Sequence, residues 1–373
     1  MPIELAEGPK GMGYAEGRIQ QEEGAGMRKM LLLTAGYSNP RTAKTAAGLL
    51  RYCPEECVGV YDPSLVGKPV EPYLGSGAGF HFVDSLDSVP DANMLVIGIA
   101  PPGGKVPAEW KPVLLQAIDR GMDLLSGLHD FLCDDPDLVL AAKAKGTRLI
   151  DIRKNDFRDI ARRRDLRADC YRLHTVGQDC SLGKMVVSLE VARGLVRRGR
   201  DAQFVATGQT GIMVSGAGLP LDSIVADFVN GAAERLVLDH QHHDIVVVEG
   251  QGSLVHPSYS GVTLGLLHGC MPHALIFCFE AGRTAVGGLE SVTLPPLKKI
   301  ADLFEVMGSI YQPCSTIAVA MNGSKVPTDA ARDIARQVED DFQLPVVDVL
   351  RDGPDRLLDA VESHYLSGDW RCR

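Results

Sequence analysis

The sequence predicts an α/β protein: an N-terminal Rossmann-like domain followed by a C-terminal P-loop doubly wound parallel-sheet domain. Three observations carry this. Short apolar runs alternate with helix-like segments of about ten residues, the pattern of a parallel sheet with crossover helices. The chain has 373 residues, enough for two cores when a domain takes about 100–200. A glycine-bounded loop ending in lysine, residues 177–185, stands between a strand-like and a helix-like run. There, backbone N–H groups and a helix N-terminus can cradle phosphate.

In chain order, residues 1–28 are rich in Gly and Glu without an apolar signal core and are expected to form a disordered leader. Residues 30–34 are an apolar strand, 42–50 a helix and 58–61 a strand, a βαβ opening. Strands at 93–99, 123–125 and 148–152 and helices at 109–120 and 136–145 complete a domain over 29–152. Residues 153–169 carry arginines interleaved with aspartates and few apolar residues, and are read as a linker whose charges cancel. The second domain, 170–373, has strands at 171–176, 203–207, 245–248, 274–279, 316–321 and 345–349. Helices at 186–196, 224–237, 297–307 and 330–340 lie between them, with a glycine-rich stretch at 212–219. Ligands of such sheets bind at the carboxyl ends of the strands, where the loops at 177, 208, 249 and 280 should meet.

The formal net charge of −10 argues against a nucleic-acid backbone footprint, which requires a basic face, and favours a small-molecule substrate. Nine cysteines without two-residue paired spacing fit reduced thiols in a cytoplasmic protein. No apolar run reaches the roughly 18–20 residues needed to cross a bilayer. A homo-oligomer without membrane partners is expected.

The phosphate loop comprises Gly177, Gln178, Asp179, Cys180, Ser181, Leu182, Gly183, Lys184 and Met185. Lys184 supplies a cation. Five residues, 178 to 182, separate the glycines where the Walker spacing has four, and Met185 stands where a hydroxyl normally holds Mg²⁺. The apolar strand 244–248 delivers Glu249 into Glu249-Gly250-Gln251-Gly252-Ser253, as a second nucleotide-site loop does. Cys180 could carry an acyl group, its thiolate favoured near a helix N-terminus, but a small loop-filling residue is the preferred reading. Asp227 and Glu234 share a helix face and could either reach the ligand or remain solvated.

The order Gly-x-Asp-x-x-x-Gly-Lys followed by Glu-Gly-x-Gly is similar to dethiobiotin synthetase and its P-loop relatives. In that family a Thr after the lysine and the strand-end glutamate help bind Mg²⁺; Glu249 matches and Met185 departs. A longer resemblance runs through Ile99-Ala100-Pro101-Pro102-Gly103-Gly104, Ser126-Gly127-Leu128-His129-Asp130-Phe131-Leu132, residues 176–185, residues 204–211 and residues 248–257. These motifs resemble the DUF1611 family, whose members include DgcN-type D-glutamate N-acetyltransferases.

The resemblance implies transfer of acetyl from acetyl-CoA to the amine of D-glutamate or a similar amino acid. A coenzyme A pyrophosphate could be cradled without a metal, so no metal site is expected. Glu249 or His256 would act as the base, and backbone N–H groups around 208–211 or 250–252 would stabilise the oxyanion. Gln209, Thr210, Gln251 and Arg283 would bind substrate, Arg283 through its carboxylates. The alternatives are an ATP-dependent ligase or kinase of the dethiobiotin synthetase type, using ATP with Mg, and a non-catalytic nucleotide- or CoA-binding sensor.

Overall fold

The computed structural model describes residues 27–101 and 103–371. The expected leader lies outside the described residues up to residue 26. Arg28 belongs to the folded chain: it is buried, with its guanidinium on Glu56 and the Met213 carbonyl.

The first unit opens with β1 (Met30–Leu33), α1 (Lys44–Tyr52), β2 (Cys57–Tyr61), a one-turn helix α2 (Glu71–Leu74) and β3 (Phe82–Val83). It continues with β4 (Met94–Ile97), α3 (Lys111–Asp119), β5 (Asp123–Ser126), α4 (Pro136–Lys145) and β6 (Leu149–Asp151). The sheet is parallel in the order β3-β2-β1-β4-β5-β6, the Rossmann order. All four residues of β1 and of β4 are buried, as in strands covered on both faces.

The second unit contains β7 (Tyr171–Gly177), α5 (Lys184–Arg197), β8 (Ala202–Val205), the first three residues of α6 (Gln209–Ser215), α7 (Val229–His240), β9 (Ile245–Val248) and α8 (Ser260–Cys270). It goes on through β10 (Ala274–Glu280), a hairpin of β11 (Ala285–Val286) and β12 (Leu289–Thr293), α9 (Leu297–Gly308), β13 (Ser315–Asn322), α10 (Thr328–Phe342), β14 (Val346–Val347) and α11 (Asp355–Ser367). Its main sheet is parallel in the order β14-β13-β10-β7-β9-β8. β7 is therefore central, with β9 on one side and β10 on the other. That order places the loops after β7, β9 and β10 side by side.

The units group as residues 1–156 with 212–223, and 157–211 with 224–373. The second half of the chain thus lends a segment to the first unit, which an uninterrupted second domain from residue 170 did not anticipate. Within the first unit Arg153 forms a two-pronged ion pair with Asp222, at 3.1 and 2.6 Å, and Asn155 bonds Ser223. The expected linker 153–169 is not a free tether. Its backbone N–H groups at Arg162 and Arg163 donate to Glu234, and the N–H of Arg167 donates to Gln241. Gly231 admits this strap, since a Cβ there would lie 2.0 Å from the Asp159 carbonyl oxygen. Glu234 is thereby a strap anchor, not a ligand contact.

Four helices escaped the sequence reading: the single turn α2, and α6, α8 and α11. α6 is only seven residues long, and α8 carries Gly261, Gly265 and Gly269, glycine being a residue of poor helix propensity. In α8 the glycines serve close packing: a Cβ at Gly269 would fall 2.3 Å from the Asn230 carbonyl oxygen, and one at Gly265 2.7 Å from Val229. α11 buries Leu357, Leu358 and Val361 and packs Leu358 against Gly194 of α5.

Candidate active site

β7 ends in Gly177, where a side chain would strike the Cys278 carbonyl at 2.8 Å. The loop then turns through Ser181 (φ 56°) and Gly183 (φ 102°) into α5. A Cβ on Gly183 would meet no atom within 4 Å, so the loop keeps open space at the helix N-terminus. Lys184 is not a surface cation: it is 5% exposed. Its Nζ donates to the carbonyls of Asp179 (2.7 Å) and Gly252 (2.8 Å), and burial lowers its pKa. Of the remaining loop residues, Gln178 and Leu182 are buried, Cys180 and Met185 half-buried and Ser181 exposed.

Gln178 ties the loop to the end of β10. Its Nε2 donates to the Arg283 carbonyl and its Oε1 accepts from the Glu280 N–H. Asp179, fully buried, accepts from Cys180 N (2.6 Å), Arg283 Nη1 (2.7 Å) and Gly287 N (2.7 Å). Arg283 also grips both oxygens of Glu280, at 3.0 and 3.1 Å, and Lys325 reaches Glu280 at 2.9 Å. Burial works against the Glu280 carboxylate, but these ion pairs hold it below the usual carboxylate range. Arg283 is thus already bracketed by two carboxylates, and a substrate carboxylate there would compete with both. Sequence reasoning missed Glu280, Lys325 and Gly287. The Gly287-Gly288 pair that turns the β11–β12 hairpin was the available signal.

The loop after β9 lies against the phosphate loop. Gly250 donates its N–H to Thr175 Oγ1 at 2.9 Å, and a Cβ there would fall 1.8 Å from the Thr175 carbonyl oxygen. Only glycine fits. Glu249, 4% exposed, turns to the β8–α6 connection: its Oε2 accepts from the N–H of Thr207 (2.9 Å) and of Gly208 (3.2 Å). Gln251 Nε2 donates to Thr207 Oγ1. Two expected oxyanion donors, the N–H groups of Gly208 and Gly250, are therefore occupied. Gln209 and Thr210 are buried beside this turn, and Gln209 Oε1 has no hydrogen-bond partner, an unmet acceptor of the kind a ligand donor fills.

His256, 2% exposed, lies with Asp179 and Cys180, one ligating atom from each falling within 4.8 Å of the others. Its Nδ1 accepts the Ser258 N–H at 3.1 Å, so the hydrogen-bond network assigns the ring proton to Nε2. The acceptors nearest Nε2 are the Gly287 carbonyl at 3.4 Å and Asp179 Oδ1 at 3.8 Å, both long for an N–H···O bond. In this tautomer His256 is an N–H donor. It offers no lone pair to take a proton, which speaks against the base role expected for it, and none to ligate a metal. The site thus splits into a cation-lined phosphate loop with a thiol and an imidazole N–H, and a glutamate–glutamine turn behind it.

A family model described as a Rossmann-like domain of unknown function, DUF1611_N, matches residues 63–155, and one described as a P-loop domain of unknown function, DUF1611_C, matches residues 159–358. A protein of Tritonibacter scottomollicae named D-glutamate N-acetyltransferase is 38% identical over 339 residues, which cover 89% of this chain and 97% of that protein. One of the same name from a Pseudoalteromonas species is 37% identical over 268 residues, 72% of this chain and 80% of that protein. The crystal structure of a DUF1611 family protein from Anabaena variabilis superposes with a TM-score of 0.84 at 35% identity, covering 90% of this chain and 99% of that one. With both domain models matched in order and such identity over most of its length, the chain belongs to the DUF1611 family.

Proposed function

We propose that the protein is an N-acetyltransferase that moves an acetyl group from acetyl-CoA to the amine of D-glutamate. The observation that carries the activity is the 38% identity, over 89% of the chain, to a protein named for that reaction. The geometry supports the choice of donor. Lys184, the α5 N-terminus and the open space over Gly183 suit the pyrophosphate of coenzyme A, and Met185 removes the hydroxyl that Mg-nucleotide sites use. The phosphate loop binds the donor, Gln209 offers its unmet carbonyl to a substrate donor, and Glu249 is the carboxylate assigned to keep the attacking amine uncharged. Arg283 acts chiefly as a clamp between the phosphate loop and β10.

Purified protein should acetylate D-glutamate from acetyl-CoA in excess EDTA, read by CoA release and by product mass. Glu249→Gln should lower kcat while leaving acetyl-CoA affinity unchanged. Mg²⁺-dependent ADP release without any need for acetyl-CoA would overturn the reading in favour of an ATP-dependent ligase or kinase.

A further inference from the structure

Resting on the acetyl-transfer reading, we propose that Cys180 is the covalent acetyl carrier of the reaction, with His256 Nε2–H as the donor that steadies negative charge beside it. The convergence within 4.8 Å of the Cys180 sulfur, a His256 ring nitrogen and an Asp179 oxygen carries this. Cys180 is half-exposed, whereas Cys170, Cys270, Cys278 and Cys314 of the same unit are buried. Burial pushes the thiols of Cys278 and Cys314 up to about 12. Those thiols are inert by position; Cys180 opens at the phosphate loop four residues before α5.

Its backbone is held from both sides, its N–H on Asp179 Oδ1 (2.6 Å) and its carbonyl on Arg283 Nη1 (3.1 Å), which fixes the main chain that carries Sγ. Lys184 interacts electrostatically with it, and a nearby cation and helix N-terminus both favour thiolate. His256 Nε2–H holds the Gly287 carbonyl only by a long bond of 3.4 Å, which it can exchange for a shorter one to a thiolate or to the oxygen of a tetrahedral adduct.

The steps balance without a further reactant. Cys180 Sγ bonds to the acetyl carbonyl carbon, the carbon–sulfur bond to coenzyme A breaks, and the proton lost by Cys180 ends on the released CoA thiol. The amine nitrogen of D-glutamate then bonds to that carbon, the bond to Cys180 breaks, and an amine proton returns to Sγ.

Wild-type protein mixed with acetyl-CoA alone should gain one acetyl group on the peptide bearing Cys180. D-glutamate should discharge it, and double-reciprocal plots should be parallel. Cys180→Ala should lose the label and at least about a thousandfold in turnover while still binding acetyl-CoA, which shows that it folds; Cys180→Ser should also lose turnover. Cys133→Ala, replacing the other half-buried thiol among the described residues, should keep the label. Wild-type turnover without a trapped acetyl-enzyme, together with an active Cys180→Ala, would overturn the carrier while leaving acetyl transfer standing. No acetylation of D-glutamate by the wild type would sink both. Stoichiometric zinc, lost in Cys180→Ser, would overturn the carrier as well, because a metal-held sulfur is no free acceptor.

Discussion

The two units use the same device, a carboxylate at the end of the strand beside the first one, to opposite ends. In the first unit Asp62, after β2, folds back onto the β1–α1 loop: Oδ2 accepts from Ser38 Oγ (2.6 Å) and Gly36 N (3.2 Å), and Oδ1 accepts from the hydroxyl and N–H of Ser64. The place where a dinucleotide-binding Rossmann domain offers an acid to ribose is closed by the chain itself. In the second unit Glu249, after β9, holds the β8–α6 turn and leaves the β7–α5 loop to Lys184. Architecture alone does not make a site. What matters is whether the strand-end carboxylate spends its lone pairs on the first loop or on its neighbour.

The sharpest way to break this contrast is Lys184→Met, which keeps much of the side-chain volume and removes the charge. Acetyl-CoA affinity should fall by about 2–4 kcal/mol, the scale for deleting one partner of a buried charge contact, as read by calorimetry. Near-wild-type affinity in a folded variant would end the phosphate-loop reading.

Next is acid sensitivity. Burial lowers the pKa of His174, in β7, to about 4, with its Nδ1 on the Val248 carbonyl at 3.1 Å. The unfolded chain therefore binds this proton first, near the ordinary 6.5. The stability that His174 governs is intact above about 6.5 and drains away as pH falls towards 4, about 3 kcal/mol in all at 1.36 kcal/mol per pKa unit. His273 is shifted the same way, by burial and by Arg172. The described first unit has no buried histidine; its two, His81 and His129, are exposed. Proteolysis at pH 5 should consequently open the second unit before the first, and simultaneous opening would contradict this.

The smallest effect should come from Asp62→Asn. The N–H of Gly36 loses its carboxylate, at a cost of about 1–2 kcal/mol in urea unfolding, with acetyl-CoA affinity unchanged. Lost affinity at unchanged stability would mean that the first unit's loop, after all, meets the donor.

Alternation of apolar runs and helices made both sheets legible, and Gly177, Gly183 and Lys184 announced the phosphate loop because their spacing is local. Partnerships between distant loops were not legible. Nothing near residue 249 reveals that its carboxylate turns to Thr207, nor does Arg283 show that Asp179 and Glu280 already hold it, since these pairings arise only when β10, β7 and β9 align. What His256 can do depends on which of its nitrogens meets the Ser258 N–H, a matter of one loop's curvature that its place in the sequence does not reveal. The nearness of Cys180 to His256 spans 76 positions, from 180 to 256, and no sequence pattern links them.

The borrowed segment 212–223 has a consequence for the order of biosynthesis. Although the sheet of the first unit is complete by residue 151, the unit that contains it includes a segment made after the phosphate loop and the strand β8. Chains emerge from the N-terminus at about 5–20 residues per second, so Arg153 waits for Asp222 while the opening of the second unit is already outside. The first unit is completed only at residue 223, after the second has begun to emerge, and a chain cut at residue 156 would carry the whole Rossmann sheet without the segment that Arg153 and Asn155 hold.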